Sequence, residues 1–117
     1  MAQSIIIIKK RSTFVLVREN GKSIKSNAFN IQILEDKNLN EKIAVGYTAT
    51  KKLGNAVIRN KAKRIMKELA RKVLTKYGKI NFYYVLIAKI PLLTIPFKDL
   101  QIELENKLRW SKLYLYL

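Results

Sequence analysis

Residues 50–69, TKKLGNAVIRNKAKRIMKEL, restrict the folding choices of this 117-residue chain more than any other stretch. Asn55 is a good helix N-cap, and from Ala56 onward apolar residues recur with the helical period. Tyr77 and Gly78 then supply a left-handed glycine stop, so the sequence predicts one helix over residues 56–77. At about 100° per residue, Ile58, Ala62, Ile65, Met66, Leu69 and Val73 share one side, and Arg59, Asn60, Lys63, Arg64, Lys67 and Arg71 lie across from them. The apolar side needs a sheet to dock on. Residues 51–72 hold nine Lys or Arg against one acid, Glu68, a net +8 that is half of the chain's +16.

Arg59 with Lys63, and Lys63 with Lys67, are like charges one turn apart, which destabilise a helix left to itself. So dense and uncompensated a run points to an anionic partner rather than to an ordinary solvated face. Nucleic acid and an anionic membrane surface are the rod-like or extended polyanions to weigh. Across the chain Lys and Arg outnumber Asp and Glu 24 to 8, the footprint of a nucleic-acid binder.

The chain has no cysteine and no histidine, which excludes zinc fingers, disulfide frameworks, Cys-His nucleophiles and histidine general bases. Glu35 and Asp36 adjoin in the run EDKNLNEK, which reads as a solvated turn rather than a metal-binding carboxylate pair. The four isoleucines at 5–8 are too few for a membrane span or a signal peptide, and their charges follow rather than precede them. A cytoplasmic protein is expected, folded as one RNA-binding domain over residues 1–117 with the first ten partly flexible.

Between residues 5 and 20 the local signals conflict. Ser12 and Thr13 are able to cap a short helix carrying Phe14 and Val17, yet Thr13, Phe14, Val15 and Val17 favour strands. Asn20-Gly21 is a turn. Phe29, Ile31 and Ile33 alternate with Asn30 and Gln32, a half-buried strand with the two amides outward. A second strand at about 42–50 places Ile43, Val45, Tyr47 and Ala49 on one side and the smaller Ala44, Gly46 and Thr48 on the other, where either a helix or a ligand fits closely. Residues 82–88 are continuously apolar, as in a central strand. Thr94 and Pro96 begin a closing helix with a Phe97, Leu100, Leu104, Leu108 stripe, and the tail KLYLYL either packs its aromatics or hangs loose. The expected fold is α+β: a small two-layer α/β sandwich with a sheet of about four strands, an N-terminal helix, the long basic helix as a crossover between strands, and a C-terminal helix.

The run Lys51-Lys52-Leu53-Gly54-Asn55-Ala56-Val57-Ile58-Arg59-Asn60, continued by Lys61-Ala62-Lys63-Arg64, resembles the signature of the bacterial ribonuclease P protein subunit, roughly Ser-Lys-Lys-x-Gly-x-Ala-Val-x-Arg-Asn-Arg-x-Lys-Arg. The resemblance implies a left-handed crossover for the basic helix and an accessory role in a ribonucleoprotein endonuclease. Its large RNA subunit removes the 5′ leader of precursor tRNA with Mg2+ held mainly by RNA. It further implies that Arg59, Asn60, Lys61, Lys63 and Arg64, with Lys67 and Arg71 on the same side, meet the catalytic RNA. Phe14, Arg18, Lys51 and Lys52 would border a cleft for the leader, with no catalytic or metal-binding residue on the protein. The chain departs from the pattern at Lys61, which loses the planar fork of arginine, at Thr50 for serine, and at Arg18 and Gln32 where aromatics are usual. Leader stacking is therefore expected to be weaker here and electrostatics stronger.

Phe14 taken without the resemblance reads as core more readily than as a stacking platform, and Gly54 serves equally as a turn former or as room for a phosphate. Lys51 and Lys52, just before a helix N-terminus, are suited to phosphate contact. The alternative function is a ribosomal or other structural RNA-binding protein with no part in cleavage. A helix-turn-helix needs two helices joined by a short turn, which this order of elements does not offer. A membrane-surface helix would lack Trp and Phe on its apolar side, and a protein-only nuclease would need a cluster of acids.

Overall fold

The computed structural model describes residues 5–115, with side chains described through Arg109. Alternation organises its centre. Phe29, Ile31 and Ile33 point to one side of β3 (Phe29–Glu35), and Ile43 and Val45 point the same way from β4 (Ile43–Thr48). β5 (Phe82–Ala88) is apolar throughout because it lies between them, antiparallel to β3 and parallel to β4. β1 (Ile5–Ile7) adds in parallel to β4 and β2 (Lys22–Lys25) adds antiparallel to β3, giving the order β1-β4-β5-β3-β2.

The sheet thus has five strands rather than the expected four or so. Both edge strands are too short to show a period, and pairing with a neighbour is what makes them strands.

α2 (Ala56–Leu69), a π turn (Ala70–Leu74) and α3 (Thr75–Tyr77) run on as one crossover between the parallel neighbours β4 and β5. The Asn55 side chain accepts the Ile58 N–H at 3.0 Å, the predicted cap. Ala62, Met66, Leu69, Ala70, Val73 and Leu74 are all 0 % exposed. On an ideal helix Leu74 would point roughly 120° away from Ala62 at 100° per residue. A π turn holds one residue more than an α turn and rotates Leu74 back to the core. These side chains pack on the Phe29, Ile31, Val45 and Leu86 side of the sheet and on Leu100, Leu104 and Leu108 of α4 (Phe97–Leu115). Each buried Leu or Val contributes about 1.5–3 kcal/mol, so this side of α2 is fixed whatever its charged side does.

The helix ends differently from the prediction. Gly78 has φ −70°, ψ 151°, an extended conformation, and left-handed backbone occurs instead at Asn81, φ 65°. A glycine is still needed at 78 because a Cβ there would meet the Leu74 carbonyl oxygen at 2.6 Å.

α1 (Arg11–Asn20) covers the opposite side of the sheet, with Val17 buried among Ile8, Leu39, Ala44 and Val85. Its N-cap is Lys10, which makes no side-chain capping bond, rather than Ser12 or Thr13. Strand propensity at Thr13, Val15 and Val17 yields to the burial available on the sheet. Asn30 and Gln32 are half-buried on the α1 side rather than fully outward, and Leu39 of the EDKNLNEK run is buried. The far end of the KLYLYL tail lies outside the described residues.

Candidate nucleic-acid interface

α1 and the sheet leave an open cleft of ≈ 490 Å³ between them, lined from α1 by Arg11, Phe14, Val15 and Arg18 and from the strands by Gln32, Tyr47, Thr48, Val85 and Ile87, with Lys9 at one side. No acid is among the lining residues, so three basic groups, Lys9, Arg11 and Arg18, set its potential. Phe14 is half-buried and lies against Gly46: a Cβ at that glycine would stand 2.5 Å from Phe14 Cε1. The small residues on this side of β4 therefore admit both a helix and a ligand space. Phe14 serves the second core cluster and the cleft wall at once. Tyr47 borders the cleft although its side chain packs with the core on the α2 side of the sheet, and burial pushes its hydroxyl up to about 12.

Lys51 and Lys52 are exposed but do not line the cleft; they sit on a 3₁₀ turn (Lys51–Leu53) three residues beyond Thr48, which does. Lys9 and Arg11 take that position in the wall. Their signal in the sequence was the KKR run after the isoleucines, but only the β1–β4 pairing brings it beside Phe14. Gly54 ends the turn at φ +150°, where a Cβ would also lie 2.8 Å from Ile58 Cδ1, so glycine is required by the backbone alone.

On α2, Asn60, Lys61, Lys63, Arg64 and Lys67 are exposed and Arg59 is half-buried. None of the cations Arg59, Lys61, Lys63, Arg64 and Lys67 has a hydrogen-bond or ion-pair partner among the described residues. Arg71 differs from them. Its Nε donates to Glu68 Oε2 at 3.2 Å and its Nη2 to Glu68 Oε1, and that hydrogen bond, with Coulomb attraction from Arg71 and Lys72, holds the Glu68 carboxyl below its ordinary range. Lys72 turns instead to α4, its Nζ 5.4 Å from the centre of the Phe97 ring. Free positive charge thus runs from Lys51 to Lys67 and is partly neutralised beyond.

The described residues contain no group of three or more acids arranged for a metal and no helix long and apolar enough to cross a membrane. Fold and surface together define a small α+β polyanion binder with two basic regions, one flat and one concave.

The family model described as Ribonuclease P matches residues 4–112. The ribonuclease P protein component of Staphylococcus carnosus is 34% identical over 107 residues, covering 92% of this chain and 90% of that protein. Its counterpart in Ruegeria pomeroyi is 35% identical over 109 residues, covering 92% and 87%. Among solved structures, the RNase P protein of Staphylococcus aureus superposes with a TM-score of 0.76 at 30% identity, covering 91% of this chain and 94% of that one. That of Thermotoga maritima, at 24% identity and TM-score 0.73, covers 88% and 94% and shares the fold. The chain belongs to the ribonuclease P protein-component family.

Proposed function

We propose that the chain is the protein subunit of a ribonuclease P holoenzyme, that it binds the catalytic RNA through α2, and that it holds the 5′ leader of precursor tRNA in the α1 cleft. The observation that carries this reading is the unpartnered cationic surface from Arg59 to Lys67 on a helix whose other side packs into the core through Ala62, Met66 and Leu69. The fold has no use for that charge, and a phosphate backbone does. Arg59, Asn60, Lys61, Lys63, Arg64 and Lys67 meet the RNA subunit. Arg71 joins them only by giving up Glu68.

In the cleft, the free part of the Phe14 ring stacks a leader base, worth about 1–3 kcal/mol with little regard to sequence. Arg18 adds a guanidinium plane and, with Lys9 and Arg11, neutralises phosphates; Lys51 and Lys52 continue the charge towards α2. This reading leaves Mg2+ and the hydrolytic chemistry with the RNA, whose phosphates supply the hard oxygen ligands that Mg2+ prefers.

The test is cleavage of a precursor tRNA at low Mg2+ by the cognate catalytic RNA, with and without the protein, repeated on a substrate trimmed of most of its leader. Enhancement chiefly of the leader-bearing substrate is expected. Binding to the RNA with no change in cleavage or leader discrimination would make the chain a structural RNA-binding protein instead.

A further inference from the structure

β1, β4 and β5 are mutually parallel, and β2 runs the same way because two antiparallel steps separate it from β5. Four strands therefore end at one end of the sheet, and each is followed or closed by lysine: Lys9 and Lys10 after β1, Lys51 and Lys52 after β4, Lys89 after β5, and Lys25 as the last residue of β2. Beyond the two regions described above, this row finishes in a separate pocket of ≈ 300 Å³ lined by Lys25, Ser26, Asn27, Lys89, Glu103 and Lys107.

The polar groups of that pocket are unevenly committed. Glu103 Oε1 accepts from the Asn27 N–H at 2.9 Å and from the Ser26 hydroxyl, and so closes the β2–β3 turn onto α4. Lys89 Nζ donates to the Ser26 carbonyl at 2.6 Å. The ammonium groups of Lys25 and Lys107 have no hydrogen-bond or ion-pair partner among the described residues, although a carboxylate lies in the same pocket. Three lysines thus line one pocket whose single carboxylate already serves two donors, and their like charges repel without an ion-pair partner to offset them. An anion with several acceptor oxygens would relieve that repulsion.

We infer that this pocket is a second phosphate site, which takes a backbone phosphate of the RNA bound along the strand ends. The inference rests on the proposed function for the identity of the polyanion. From β4 to β2 is three strand steps of about 4.8 Å, roughly 14 Å, so the pocket extends the basic track well past Lys51 and Lys52.

The test uses the full chain with the cognate catalytic RNA, and the assembled holoenzyme with leader-bearing precursor tRNA, each titrated at several salt concentrations. Lys25→Ala/Lys107→Ala should lower the log-log salt slope of one of these equilibria by about 1.4–1.8, that is 0.7–0.9 per lost contact. Lys37→Ala/Lys42→Ala removes the same charge at the opposite end of the sheet and should change the slope less than half as much. Equal slopes for the two double variants in both titrations overturn the site. So does a fall in melting temperature of several degrees in the pocket variant, since relief of repulsion should leave it unchanged or raised. If the wild-type chain binds neither RNA, the proposed function fails and this site with it. Normal wild-type binding with an indifferent pocket variant removes the pocket alone.

Discussion

α2 and α1 lie on opposite sides of one sheet and relate sequence to function in opposite ways. α2 and the π turn that continues it are fixed by six fully buried residues, and the outward side of α2 is free to be almost purely cationic. α1 buries Val17 completely but leaves Phe14 half-buried, so the residue that helps hold the helix also lines the cleft. Stability and recognition are separable on α2 and shared on α1. Substitutions on the first should change RNA affinity without changing the fold, and substitutions on the second should move both.

The largest expected effect tests the separable side. An Arg59→Ala, Lys63→Ala, Arg64→Ala variant loses three phosphate contacts of about 1 kcal/mol each, so affinity for the catalytic RNA should fall about a hundredfold. The salt slope should drop by about 2–3 units, and the melting temperature should hold or rise as like-charge repulsion is relieved. A variant that melts lower would show that α2 does not separate the two functions.

Phe14→Ala probes the shared side. Loss of one stacked base should remove about 1–3 kcal/mol from binding of the leader-bearing substrate, five- to 150-fold, and nothing from the leaderless one. Thermal melting of the same variant should also show a loss, because the ring packs on Gly46. Gly46→Ala reaches that contact from the sheet. With its Cβ 2.5 Å from Phe14 Cε1, the ring must move, at a cost of about 1–3 kcal/mol in stability by overpacking. Leader discrimination should weaken with it, while the salt slope for the catalytic RNA stays at the wild-type value.

The same contrast governs how much was legible in the sequence. Asn55, the buried Ala62, Met66, Leu69 and Val73, and the Leu100, Leu104, Leu108 stripe follow from a period that one element carries by itself. Burial of Leu74 does not, because a fixed 100° step cannot register a π turn. β1 and β2 escaped for a related reason: three or four residues at a sheet edge are strands through their neighbours. The motif from Lys51 to Arg64 revealed the flat basic region, whereas the concave one is assembled from four separate segments. Lys9 and Arg11 enter its wall only once β1 has paired with β4.

The smallest effect sharpens the boundary of the cationic side. Glu68 holds Arg71 by hydrogen bonds, and the pair lies at the surface in contact with solvent, so its part in stability is slight. Glu68→Gln should release Arg71 and raise RNA affinity by about two- to fivefold, with a salt slope steeper by at most about 0.9. The pH dependence has a definite sign. A carboxyl whose folded pKa is depressed stabilises fully above its unfolded value and loses that contribution as pH falls through the folded one. Between pH 6 and 8 the wild-type carboxylate is ionised in both states, and the affinity gap between wild type and variant should be constant. It should close only below the ordinary carboxylate range, where the wild-type Glu68 is itself neutral. A gap that closes near pH 7 would mean that some group other than Glu68 restrains Arg71.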